Sequence, residues 1–221
     1  MSAVHAVRVR QGALPVIFLD IDDVICINSP CGGFDAIAAV NGRHVNSAWV
    51  YQRLFEPGAV SALKQVHDEM GAAVRYVISS TWRESFSRAQ LEVVFRSTGL
   101  GFVADCLREG EKWRTPPKFG RSRRIDEIAQ WLDRHHHGEP FAVLDDTHSG
   151  ASLMPTLQPG VHPAPMPSSN VPAPGHPSEA APHAFAGRAV LCDENVGLTA
   201  DHVPFIVAAL RRAVPVARIA A

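Results

Sequence analysis

The chain has 221 residues, 46% of them hydrophobic, with 21 Lys and Arg against 22 Asp and Glu for a formal charge of −1. That length and apolar share suffice for a buried core and suit one domain carrying an insertion better than two domains. The near balance of charge excludes a global field that would draw the protein to nucleic acid or an anionic membrane, so partners must be recognised locally.

Near the N-terminus lie Arg8 and Arg10, but the apolar run that follows is short and ends in Asp20. This fits neither a signal peptide nor a spanning helix, and the expected location is the cytoplasm, without membrane contact. The four cysteines, Cys26, Cys31, Cys106 and Cys192, show no C-x-x-C spacing. They are expected to be free thiols in a reducing compartment, not zinc ligands or a disulfide framework.

Four short, nearly continuous apolar runs read as buried parallel strands: Val16–Leu19, Val74–Ile78, Phe141–Leu144 and Ala189–Cys192. Helical periods lie between and after them. Pro57 opens one that carries Val60, Leu63, Val66, His67 and Met70 and stops at Gly71. A second is expected from about Glu84 to Ser97, with Phe86, Leu91, Val94 and Phe95 apolar. The third places Ile125, Ile128, Ala129 and Leu132 on one face, and Thr199 is set to cap a fourth carrying Val203, Ile206, Val207 and Leu210. Strands alternating with helices predict an α/β fold: a doubly wound, Rossmann-like parallel sheet with helices on both faces.

Pro155 to Pro182 breaks the pattern, holding nine of the seventeen prolines. With so few bulky apolar residues it is expected to be a disordered insertion acting as a tether. Its P-A-P-M-P offers a polyproline II ligand to a protein partner as the alternative. The expected organisation is a single domain over 1–221, with core segments at about 16–154 and 184–214 and the insertion at 155–183.

In doubly wound sheets, chemistry collects beyond the carboxyl ends of the strands. Asp20 and Asp22 follow the first run, Ser79, Ser80 and Thr81 the second, and Asp145 and Asp146 the third. Crowded carboxylates repel one another, and a cation that prefers oxygen ligands explains the crowding. A strand-end carboxylate beside such a cation can attack phosphorus. A second carboxylate two positions later, beyond a turn at Ile21, can serve the leaving-group side.

In order, V-I-F-L-D-I-D-D-V-I, V-I-S-S-T-W-R, a basic segment before I-D-E-I-A-Q-W-L, and F-A-V-L-D-D resemble the four motifs of the haloacid dehalogenase-like superfamily. With the late G-L-T, S-S-T-W-R and E-I-x-x-W-L resemble a small-cap bacterial branch that includes a phosphatase-like domain of RNA-repair polyproteins. The resemblance covers about Val16 to Leu210 apart from the insertion. It implies a phosphoric monoester hydrolase with Asp20 as nucleophile, forming an aspartyl-phosphate, and Asp22 as general acid and base. Ser79, or its neighbour Ser80, would bind the phosphoryl group. Magnesium (Mg2+) would be held by Asp20, Asp145, Asp146 and the backbone carbonyl of Asp22. For the third-motif cation, Arg124 fits the branch's register and Lys118 the superfamily's usual residue type, with Arg121 and Arg123 in the same segment. Asp23 stands where the superfamily usually has Gly, which either adds charge at the site or points away.

About thirty residues, Cys26 to Glu56, separate the first motif from the helix at Pro57. That is too short for a large lid domain, so a minimal cap and an open site are expected. The substrate would be a phosphorylated small molecule, a nucleic-acid end or a phosphopeptide. The alternative is a catalytically weak binding or regulatory module on the same fold. His135–His137 are read as cations at a helix C-terminus, since consecutive helical residues diverge and ligate one metal poorly. Trp82 and Arg83 are read equally as packing residues or as a substrate wall.

Overall fold

The computed structural model describes residues 14–154, 185–212 and Val214. The proline-rich segment expected to be a tether lies outside them. Four strands form one parallel sheet in the order β2-β1-β3-β4, where β1 is Val16–Leu19, β2 Arg75–Ile78, β3 Phe141–Asp146 and β4 Ala189–Cys192. With β1 paired to β2 and β3 on its two sides, its carboxyl end opens at the middle of the sheet. Strand β3 runs two residues further than its apolar run because Asp145 and Asp146 pair with Leu191 and Cys192 of β4. Both carboxylates are therefore fixed by ladder backbone and not by a loop.

Eight α-helices occur among the described residues. They are α1 (Gly33–Val40), α2 (Ser47–Arg53), α3 (Pro57–Glu69), α4 (Trp82–Ser85), α5 (Arg88–Ser97), α6 (Gly101–Asp105), α7 (Arg124–His135) and α8 (Val203–Arg211). Side chains alternate across the sheet as strand geometry requires. Ile17, Leu19, Tyr76, Ile78, Ala142 and Leu144 join the larger core with α3, α5, α6 and α8. Val16, Phe18, Val77, Phe141 and Val143 face α7 through Ile125, Ile128, Trp131 and Leu132. Here the tryptophan of the E-I-x-x-W-L segment has its purpose. Trp131 meets Phe18 edge-on at 5.1 Å, and its indole N–H donates to the Lys112 carbonyl at 3.1 Å. Trp131→Ala would cost about 3–5 kcal/mol and loosen the helix that carries Arg124.

The single helix expected from Glu84 to Ser97 is two. Phe86 is extended between α4 and α5, and Ser87 starts α5 with a reciprocal cap to Gln90. The break turns the Phe86 ring onto Trp82. Short helices α1 and α2 fill the expected minimal cap between β1 and α3. Thr199 begins the last helical segment through the His202 ring, which accepts from its backbone N–H at 3.0 Å. After α7, the His136 ring bonds the Glu139 carbonyl at 2.7 Å and the His137 N–H donates to the Glu139 carboxylate at 2.6 Å. Cys26, Cys31 and Cys192 are buried, and all four cysteines are free thiols. Among the described residues, no helix is long and apolar enough to cross a membrane.

Candidate active site

Strand β1 ends at Leu19, but Asp20 still donates its N–H to the Leu144 carbonyl at 2.9 Å, which holds it in register beside β3. The chain then turns sharply. Ile21 N–H caps the Asp20 carboxylate at 2.8 Å, and the Ile21 carbonyl accepts from Ile25 and Cys26 at 3.0 and 2.9 Å. Asp23 sits in this turn at φ 53°, the left-handed conformation that favours Gly. Its carboxylate is not part of the cluster around Asp20 and accepts the Asn195 N–H at 2.9 Å. The residue type that departs from the superfamily pattern thus ties the β1 turn to the loop after β4.

Asp20, Asp145 and Asp146 are all buried, and each offers a carboxylate oxygen within 4.8 Å of the others. Burial pushes the Asp20 carboxyl up to about 6, against the pull of Arg124 and of hydrogen bonds from Ser80 and Ile21. Burial, followed by the charge of Asp20, holds the Asp145 carboxyl well above the usual range. Asp146 goes the other way: burial works to raise it, but hydrogen bonds from Ser149 and His148 hold it lower. Its Oδ1 accepts their N–H groups at 2.8 and 2.7 Å. The Asp145 Oδ2 atom is buried without a hydrogen-bond partner. Three crowded hard oxygen ligands, one of them without a hydrogen bond, fit a divalent cation such as magnesium.

The cation this chain itself supplies is Arg124, the first residue of α7. Its Nη2 donates to Asp20 Oδ2 at 3.3 Å, and its Nε lies 2.8 Å from Asp145 Oδ2 without hydrogen-bond alignment, as an ion pair. A guanidinium at a helix N-terminus opposes the helix dipole. The offsetting charge is Glu127, one turn on, whose Oε2 accepts from Arg124 Nη1 at 3.3 Å and from Arg83 Nη2 at 2.9 Å. Arg83 is also buried and donates to the Ser80 and Pro116 carbonyls. It is therefore a packing residue of the site floor and not a substrate wall. Lys118 is exposed, and its backbone N–H donates to Glu84 at 3.0 Å. Arg121 is exposed too, and exposed Arg123 pairs with Asp126 at 3.1 Å. Among the described residues, Arg124 is the basic side chain in contact with Asp20 and Asp145.

Ser80 is the hydroxyl near enough to Asp20 to lower its carboxyl, and it accepts the Trp82 N–H at 3.4 Å, whereas Ser79 Oγ is buried with no hydrogen-bond partner among the described residues. Asp22 stands apart from the buried cluster and is half-buried. Its Oδ1 accepts the Trp82 indole N–H at 3.0 Å and its Oδ2 the Thr81 hydroxyl at 3.4 Å. Trp82 is thus both a packed residue and an aiming device for this carboxylate.

Two contributors escape a reading of the sequence. Glu127 could be found from its spacing, since R-I-D-E places opposite charges at i and i+3 on a helix. Gly150 carries no such signal. A Cβ there would lie 2.5 Å from Leu191 Cδ2 and 2.9 Å from Asp145 Cβ, so only glycine lets the 3-10 turn Ser149–Leu153 close over Asp145.

No curated protein and no solved structure matches the chain significantly. The family described as the HAD domain in Swiss Army Knife RNA repair proteins matches residues 16–203, which contain every carboxylate and cation of the site. The chain belongs to this family of haloacid dehalogenase-like domains.

Proposed function

We propose that the protein is a magnesium-dependent phosphatase that cleaves phosphomonoesters through an aspartyl-phosphate on Asp20. HAD membership implies hydrolase-type chemistry and a divalent metal in general terms. The observation that carries the finer reading is the carboxylate at the carboxyl end of the central strand, Asp20, in contact with Arg124 and beside the Asp145–Asp146 pair, which Arg124 also touches.

An Asp20 oxygen attacks phosphorus and the bond to the leaving oxygen breaks. Asp22 gives its proton to that oxygen, so an alcohol leaves. Asp22, now ionised, takes a proton from water, whose oxygen attacks phosphorus and breaks the bond to Asp20. Inorganic phosphate is released and both carboxyl groups return to their starting states. Arg124 and the Ser80 hydroxyl, with Ser79 as its neighbour, face the equatorial phosphoryl oxygens. A magnesium ion held by Asp20, Asp145, Asp146 and the Asp22 carbonyl would supply the positive charge that lets a carboxylate approach a phosphate dianion.

The family's RNA-repair setting favours a terminal phosphate of a nucleic acid as substrate, and a cap of two short helices leaves room for one. We read the chain as one domain, with the segment at 155–183 as an insertion into it. The test is phosphate release from an aryl phosphate with and without magnesium, in wild type and Asp20→Asn. Release that needs the metal and is abolished by the substitution is the expected result. Equal turnover in the mutant overturns the reading, because an amide is a poor nucleophile.

A further inference from the structure

Beside Asp22 the surface opens into a cleft of about 360 Å³. That is near the lower end of the volumes that hold an organic ligand, and suits one ring-sized group. Its walls are aromatic. Trp82 stacks on Phe86 at 4.9 Å with their planes 11° apart, and Phe34 from the first turn of α1 lines the cleft with 92% of its surface exposed. Uncharged hydrogen-bonding groups are supplied by Asn28, Thr81 and Ser85.

Asp22 is the one acidic group among the lining residues, and no Lys or Arg joins it. A second phosphate or a carboxylate would find no cation there, and would be repelled by Asp22 once it has given up its proton. A small polyol would leave the aromatic faces without a partner. What matches the lining is an uncharged planar ring whose edge carries hydrogen-bonding groups. The place of the cleft says which part of a substrate it meets. Trp82 walls it and also donates its indole N–H to Asp22, the carboxylate that serves the leaving oxygen.

We infer that this cleft is the leaving-group subsite and that it takes the nucleobase adjoining the scissile phosphate, stacked on Phe34 beside the Trp82–Phe86 pair. The inference rests on the phosphatase reading for the assignment of Asp22 to the leaving group. It goes beyond that reading by naming a ring-binding site and the residue that grips the ring. Phe34 makes the better probe because it is so exposed that its truncation removes almost no packing.

The experiment compares kcat/KM with magnesium for four substrates: adenosine 3′-monophosphate, adenosine 5′-monophosphate, a short oligonucleotide with a terminal phosphate, and ring-less glycerol 2-phosphate. Wild type is expected to prefer at least one ring-bearing substrate over glycerol phosphate by about tenfold or more, the scale of one base stacked on one aromatic side chain. Phe34→Ala should shrink that preference by about the same factor, mainly through KM, and Phe34→Tyr should restore it. Mononucleotides served as well as the oligonucleotide identify a free nucleotide as sufficient; preference for the oligonucleotide alone identifies a nucleic-acid end. Equal losses on glycerol phosphate and on the ring-bearing substrates, or no ring preference in wild type, overturn the subsite. If no phosphomonoester is hydrolysed, the phosphatase reading fails separately. Calorimetric titration with adenosine 3′-monophosphate then decides the subsite: binding weakened about tenfold by Phe34→Ala keeps it, and equal or absent binding removes it.

Discussion

Asp20 and Asp22 are two residues apart in sequence and lie in opposite environments. Asp20 is 2% exposed and its neighbours are charges: Arg124 on one oxygen, Asp145 and Asp146 alongside, and the Glu127–Arg83 pair behind. Asp22 is half-buried and its partners are neutral donors, an indole N–H and a hydroxyl, at the edge of an aromatic cleft. One turn of backbone separates a carboxylate suited to meet a phosphate with a cation from one that can exchange a proton with a leaving group. On the proposed mechanism, their division of labour would come from what the turn faces on each side, since the residue type is the same.

The strongest way to break this comparison is to take the proton from the Asp22 side alone. Asp22→Asn keeps the shape and the Trp82 hydrogen bond but cannot pass a proton, and should lower turnover on alkyl phosphates by about 10²- to 10⁴-fold. With an aryl leaving group acidic enough to depart unprotonated, the first step should recover most of that loss. The measurement is a plot of the single-turnover rate of leaving-group release, which isolates the first step, against leaving-group pKa. A loss of equal size across the series would mean that Asp22 positions the substrate and moves no proton.

A smaller effect is expected from the charged side. Arg124→Ala removes the one basic group that touches Asp20 and Asp145 among the described residues and should lower turnover by about 10²-fold or more, with Arg124→Lys an incomplete rescue because a point charge cannot reach both carboxylates and Glu127. Glu127→Gln leaves Arg124 in place but weakens the contact that orients it, for a loss of about tenfold. Exposed Lys118→Ala should stay within about twofold of wild type. Melting curves alongside separate catalysis from folding, since an uncompensated buried charge also destabilises. If Lys118→Ala silences the protein while Arg124→Ala does not, the assignment of the cation is wrong.

How far the sequence could carry these assignments depends on the kind of signal. The four strands were legible as short, nearly continuous apolar runs, most clearly β1 and the apolar part of β3, which are buried on both faces, whereas β2 opens on Arg75 and β4 is half-buried along most of its length. Helices α3 and α7 announce themselves by period and by Pro57 or Gly138 at their ends. The cap helices α1 and α2 did not, since seven or eight residues hold too few turns for a period to show. The break at Phe86 was hidden by an apolar pattern running across it, although the Ser87 and Gln90 cap was in plain view. At the site, carboxylates at strand ends stand out by their cost, and the order of the motifs links them. Approach in space separates what the sequence left open: Arg124 contacts the cluster while Lys118 is exposed, Ser80 lies by Asp20 while Ser79 Oγ has no partner among the described residues, and Asp23 accepts from Asn195. Gly150 and Phe34 were invisible for the same reason, because one matters through contacts across the fold and the other through an empty space.

The smallest expected effect gives the finest control on the aromatic side. Gly33 opens α1, and a Cβ there would lie 3.2 Å from the Trp82 indole nitrogen and 3.3 Å from its Cε2. Such contacts are slightly too close, so in Gly33→Ala either the indole or the start of α1 shifts by a few tenths of an ångström. An indole shift strains its 3.0 Å hydrogen bond to Asp22, whereas Arg124, Asp145 and Asp20 lie outside its reach. The substitution adds one methyl group and creates no cavity, so stability should change by less than about 1 kcal/mol. Turnover on alkyl phosphates should fall a few-fold, about the scale of one weakened hydrogen bond, and turnover on acidic aryl phosphates should fall less. The Trp82 indole N–H resonance, told apart from those of the other three tryptophans by its loss in Trp82→Phe, reports the indole directly. An unshifted spectrum with an unchanged rate would place the adjustment in α1 and leave the coupling between Trp82 and Asp22 to be probed by Trp82→Phe. A spectral shift with equal losses on both leaving-group classes would show that the aromatic wall acts on phosphate binding, and the separation between the two sides of the turn would fall.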